Sequence, residues 1–312
     1  VSGGAASIDI RQIVRDIFVH LDIKATDVVG MTPAYDPGHL SAQLVHGIMV
    51  EMVCPWQGAG RIRKGAQQVL KNNQPEFTGI YTLLGFEHTM DIKAADVILF
   101  GVPFEIEESG RPGCRLAPEA IRRYSSCKPY HEEFDFDILE GFRAVDYGDF
   151  QLSGCCGEEN MEQISQELSS LLKRTVGITI GVGGDYTIIY GELAALKERY
   201  GKMALIYFSP RTDTWSCKHT AGQIGKHHGA HYGTPLQLAI GQECISGPHC
   251  IQLGMRGGWA DAHGLDWAFA HDIEVIEANG LHDMGIEAAA GRIRDKGGGN
   301  SSLYLSHLIW DS

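Results

Sequence analysis

Positive charge is scarce in this chain. Its 312 residues hold 26 Lys and Arg against 39 Asp and Glu, a net charge of −13. That balance excludes nucleic acid as a main partner. It suits a cationic ligand, although solubility accounts for it equally well. No apolar run reaches the roughly eighteen residues that a membrane helix needs. Internal repeats and low-complexity tracts are absent. The N-terminus has the pattern of neither a signal peptide nor an Arg- and Ser-rich transit segment. It begins with Val, so removal of a targeting segment stays open. Cys54, Cys114, Cys127, Cys155, Cys156, Cys217, Cys244 and Cys250 follow no framework spacing. They read as reduced thiols. The expectation is a soluble intracellular protein of the cytoplasm or an organelle matrix.

What is present is a hydrophobic content of 44%, enough for a large core. Residues 176–182 form a short apolar run with glycines and read as a buried strand. Gly183-Gly184-Asp185-Tyr186 follows it. Residues 187–197 then carry apolar side chains at helical spacing, and residues 203–208 read as the next buried strand. After that strand comes Ser209-Pro210-Arg211-Thr212-Asp213-Thr214-Trp215. A strand–helix–strand unit implies parallel strands joined by a right-handed crossover. Ligand sites in such sheets lie beyond the carboxyl ends of the strands, where both short segments fall.

These segments resemble the ureohydrolases (agmatinases, arginases and guanidinobutyrases), and the agmatinase branch most. That family carries G-G-D-H, then D-A-H-x-D, then S-x-D-x-D. The resemblance runs from about Pro75 to the C-terminus. It includes residues 95–104, 111–122 and 146–149, then Tyr232-Gly233-Thr234-Pro235 and residues 252–257. It implies a three-layer α/β/α fold with a mainly parallel sheet. It also implies two manganese ions, or nickel in some members. Carried over position by position, Tyr186 stands for the His of G-G-D-H. Ser209 and Arg211 stand for the Asp and His of the second motif, and Asp213 is kept. Leu308 and Trp310 stand for the last two carboxylates. Tyr232 replaces a histidine on the substrate side.

Five of the six ligand positions have therefore lost their ligand. Two cations about 3.5–4 Å apart need several anionic oxygens around them. Leu and Trp offer no lone pair for a metal. Arg211 adds a permanent positive charge. Asp311 is one residue from Trp310 and would face the other side of a strand, so it does not replace the missing pair without a bulge. The reading is no metal, no cofactor and no catalytic residue.

Relative to the family, the sequence is expected to be C-terminally shortened, leaving a strand edge that needs cover. The division is residues 1–74 as a partly helical N-terminal extension and residues 75–312 as the α/β domain. Ile10, Ile13, Val14, Ile17 and Leu21 mark an amphipathic helix in the extension. Residues 43–53 read as a helix or a strand. The extension packs on its own core or on a neighbouring subunit, or serves as a docking arm for a different protein. Cys217, His219, His227, His228, His231, Cys244, His249 and Cys250 are dense enough for zinc. No C-x2-C is paired with H-x3-5-H, so they are read as loop histidines and thiols. Glu105, Glu107 and Glu108 are a candidate residual pocket for a cation.

Together these features point to a ureohydrolase-like pseudoenzyme with a scaffold or regulatory role. Its partners would be further copies of itself, as a trimer or hexamer, or other subunits of a larger complex. One alternative is a working manganese or nickel amidinohydrolase that releases urea from agmatine or a related compound. Another is a metal-free binder of guanidino or amine ligands.

Overall fold

The computed structural model describes residues 7–53, 78–106, 112–126, 130–131, 136–137, 141–153, 157–215, 231–256, 263–297 and 302–308. In chain order these form α1 (Ser7–His20), β1 (Ile23–Val29), α2 (Leu40–Val53), β2 (Glu87–His88), β3 (Val97–Val102) and α3 (Ala117–Tyr124). Next come β4 (Tyr130–His131), β5 (Phe136–Asp137), β6 (Ala144–Asp149), α4 (Gly157–Leu172), β7 (Ile178–Gly183), α5 (Ile188–Tyr200) and β8 (Met203–Phe208). The remainder is α6 (Pro235–Gly241), β9 (Ile245–Met255), α7 (His263–Ala270), β10 (Glu274–Glu277), α8 (Ala278–Gly297) and β11 (Leu303–Leu308). The strand–helix–strand reading of residues 176–208 corresponds to β7, α5 and β8.

Nine strands form one sheet in the order β10-β9-β8-β11-β1-β7-β3-β6-β2. Every pairing in it is parallel. Strands β3, β7 and β8 are buried along their whole length, so they read as continuous apolar runs. Helices α1, α2, α3 and α8 share one core with one face of the sheet. Helices α4, α5, α6 and α7 share a second core with the other face. This is the three-layer α/β/α architecture that the sequence implied.

The first fifty residues occupy an unexpected place. Strand β1 lies in the middle of the sheet, paired with β11 on one side and β7 on the other. Helix α1 buries Ile13, Val14, Ile17 and Phe18. Each such side chain contributes about 1.5–3 kcal/mol when fully buried. Glu51 of α2 is fully buried and takes hydrogen bonds from Arg11 and Arg15 of α1. Arg294 of α8 pairs with Asp16 of α1. The described part of the extension, residues 7–53, therefore packs on its own core. Residues 43–53 are helical, within α2. β11 is an interior strand, so the uncovered edge expected there is absent; β1 takes that side.

Candidate functional site

The carboxyl ends of β7 and β8 meet where the two motif segments were read. At the end of β7 the chain must turn tightly into α5. A Cβ on Gly184 would collide with the Phe104 carbonyl, so only glycine fits. Asp185 is fully buried and serves the backbone. Its carboxylate accepts from the Ile106 amide at 2.7 Å and the Thr187 amide at 2.9 Å. Burial raises its pKa to about 6, although those hydrogen bonds pull the other way.

At the end of β8, Asp213 is fully buried with φ of 48°, a left-handed conformation that Asp tolerates better than most side chains. Its Oδ2 accepts from the Tyr207 hydroxyl at 2.5 Å and the Ser209 hydroxyl at 3.2 Å. Its Oδ1 lies 3.3 Å from Arg211 Nε. Burial pushes the Asp213 carboxyl up, against the opposing pull of Arg211, Tyr207 and Ser209. Tyr207 was not anticipated as a partner, because it points from within a strand that the sequence marks only as apolar.

The Arg211 guanidinium lies over two aromatic rings, 4.7 Å from the Tyr186 centroid and 5.0 Å from the Tyr232 centroid. Trp215 meets Tyr232 edge-on at 5.6 Å. His231 stands 5.7 Å from Tyr232, and burial followed by the Arg211 charge lowers its pKa, which favours the neutral ring. The Tyr186 ring covers Gly30 at the end of β1 so closely that any Cβ there would strike it. Four of the substituted positions, Tyr186, Ser209, Arg211 and Tyr232, thus come together with Asp213 into one packed cluster.

The other sequence candidates separate from it. The Glu105 carboxylate accepts from the Gly113 amide at 2.9 and 3.0 Å and tethers the turn before α3. Glu107, Glu108, Trp310 and Asp311 lie outside the described residues, as does the side chain of Leu308. Of the His- and Cys-rich stretch, Cys244 and Cys250 are buried thiols, and burial pushes Cys250 up to about 12. His249 is exposed. Among the described residues no group of His, Cys, Asp and Glu is placed to hold a metal, and no helix is long and apolar enough to cross a membrane.

A second buried cluster was not anticipated at all. Glu192 of α5, Tyr304 of β11 and Asp27 of β1 meet on the face of the sheet that α5 covers, with the Tyr304 hydroxyl donating to Glu192. Burial, then the nearby Asp27 charge, raises the Glu192 carboxyl well above its usual range. No sequence spacing relates residues 27, 192 and 304; only the sheet order brings them together.

Comparison with known proteins follows the same lines. The arginase family model matches residues 95–309. Proclavaminate amidinohydrolase of Streptomyces clavuligerus is 28% identical, covering 74% of this chain and 72% of its own length. Its solved structure superposes with a TM-score of 0.65 at 26% identity, covering 75% of this chain and 74% of that one. Agmatinase of Chromobacterium violaceum is 27% identical over 75% of this chain and 68% of its own. A formiminoglutamase of Trypanosoma cruzi solved with Mn2+2 shares the fold at a TM-score of 0.58 and 19% identity, over 70% of this chain and 71% of that one.

The reading of no cofactor is corrected by these findings. A family match that extends through the site, with a manganese-bound protein among the fold neighbours, makes manganese the cofactor to consider. The residues described at this mouth do not fit a pair of such ions. The carboxylates are Asp185, committed to backbone amides, and Asp213, committed to Tyr207, Ser209 and Arg211. A guanidinium stands between the two strand ends, and it cannot give up its proton.

Proposed function

This chain belongs to the arginase family, and on that premise we propose that it does not hydrolyse amidines itself and serves as a structural or regulatory subunit of a larger protein assembly. The observation that carries this reading is the Arg211 guanidinium packed between Tyr186 and Tyr232 and paired with Asp213. A resident cation fills the space between the strand ends with aromatic packing and an ion pair. What it stabilises is the fold: it ties the turn after β8 to the turn after β7 and to the loop before α6. The partners are further copies of this chain or other subunits.

The second reading is a working amidinohydrolase acting on agmatine or a related guanidino compound. Relatives named as agmatinase and proclavaminate amidinohydrolase, matched over about three quarters of this chain, support it. One assay separates the two. Protein loaded with manganese is incubated with agmatine and with arginine, and urea is measured. The expected result is no urea above the blank, together with stable association in the native complex. Stoichiometric manganese with urea release overturns the proposal and returns the hydrolase reading.

A further inference from the structure

The order of strands does not agree with the order of the chain at one place. Strand β1 is the sole described link between two half-sheets, β10-β9-β8-β11 and β7-β3-β6-β2. Its neighbour β11 is the last of the described strands, and the two run parallel from Ile23↔Leu303 to Val29↔Leu308, with one register shift between Ile23 and Ala25. Parallel neighbours are ordinarily joined by a helical crossover. Helix α1 stands where such a crossover belongs. It immediately precedes β1 and packs on α8, the helix that precedes β11. Arg294 and Asp16 pair across that contact, and Leu21 and Leu303 both close on Gly297. In space the sequence of elements is α8, β11, α1, β1, α2, an ordinary alternation of helix and strand. In the chain, its second half comes first.

The relatives sharpen this. The family match starts at residue 95, so it includes β7 and β11 but omits the strand between them. Two strands that flank a third are about 9.6 Å apart, twice the inter-strand spacing. A relative sharing both must fill that slot with a strand of its own, drawn from the quarter of its length that is unmatched. For proclavaminate amidinohydrolase the unmatched share is close to equal on the two sides, with 74% of this chain and 72% of the relative covered. Had the filling strand preceded the match in both chains, a linear comparison could have extended through it. A strand that follows the match in one chain and precedes it in the other is lost to such a comparison.

We infer that residues 7–53 correspond to the portion that follows β11 in the relatives and stand here ahead of the rest, so that the described elements are circularly permuted relative to the family. The permuted portion also furnishes part of the site. The Gly30 amide at the end of β1 donates to the Gly184 carbonyl at 2.9 Å, and Gly30 underlies Tyr186. The inference rests on strand order and on the extent of the family match, and is independent of whether the site turns over a substrate.

The test restores the inferred order. Ser312 is joined to Val1 through a flexible Gly/Ser linker and the chain is opened within residues 54–77, so that the protein starts near Ile80 and ends at Val53. The expected result is cooperative unfolding with a Tm within about 5 °C of the original protein and an unchanged far-UV spectrum. A reordered protein without a cooperative transition overturns the inference. A second variant guards against a failed linker. Thr26→Cys with Leu305→Cys, directly paired across β1 and β11, is oxidised and mapped by mass spectrometry in the original and the reordered chain. The 26–305 link is expected within a single chain in both. Its absence from the original, or a link only between two chains, also overturns the inference.

Discussion

Arg122 and Arg211 are buried to the same extent, with side chains 11% and 12% exposed. Arg122 of α3 meets two carboxylates. It grips Asp146 in bidentate fashion at 2.8 and 3.0 Å and reaches Asp149 at 2.6 Å. Burial works against its charge, but the bonds and charges of Asp146 and Asp149 outweigh this and raise its pKa. Arg211 meets one carboxylate at 3.3 Å and two rings. The first arginine is fixed by directional charge-assisted bonds, which are the strong kind. The second is fixed largely by the shape of an aromatic slot. The difference teaches that equal burial of a guanidinium does not imply equal commitment. Asp146 keeps the Leu83 and Gly148 amides if Arg122 goes, and Asp213 keeps Tyr207 and Ser209 if Arg211 goes, but loss of Arg122 takes a counter-charge from two carboxylates and loss of Arg211 from one.

Mutation of each arginine puts numbers on that contrast. Arg122→Ala leaves Asp146 buried with two backbone amides but no counter-charge, and takes the partner of Asp149 as well, so a loss of about 3 kcal/mol in urea unfolding is expected. Arg122→Lys recovers only part of it, because an ammonium cannot reproduce the bidentate geometry. Arg211→Ala is expected to cost less, about 2 kcal/mol, from one ion pair and two cation–π contacts. If the two alanine variants lose equal stability, the distinction between them fails.

The buried acids predict a pH response of definite sign. Asp185, at about 6, and Glu192, shifted upward, both bind protons more tightly folded than unfolded. Their contribution is complete below the unfolded carboxyl range, about 4, and is lost as pH rises through the folded values. Glu192→Gln should therefore flatten the decline, leaving the variant more stable than the parent at pH 8 by about 1 kcal/mol and little different at pH 4. A parent whose stability is flat from pH 4 to 8 contradicts this. The smallest effect is reserved for the slot itself. Tyr232→Leu removes one π face from Arg211 and should cost about 1 kcal/mol, less than Arg211→Ala.

How much of this was legible in advance differs from residue to residue. The β7–α5–β8 unit was readable because its period changes from strand to helix and back between Ile178 and Phe208. The amphipathic face of α1 was readable for the same reason. The residues of the altered motif were also readable, since a resemblance fixes positions along the chain. Their new partnerships were not. Tyr232 and Tyr186 looked like lost histidines, and only the folded chain shows them stacked on Arg211. Nor did any local pattern reveal that Asp27, Glu192 and Tyr304 meet, or that Asp213 is held by Tyr207.

The sequence by itself determined the β7–α5–β8 unit, the helix α1, the family and the side chains at the positions that the resemblance singles out. It could do so because periodicity and motif spacing are local properties of a chain. Tertiary structure decided the placement of β1 between β11 and β7, and with it the composition of the site floor and the buried acid cluster. Which strand lies beside which is set by burial of both sheet faces across hundreds of residues, and parallel pairing leaves no local mark of its neighbour.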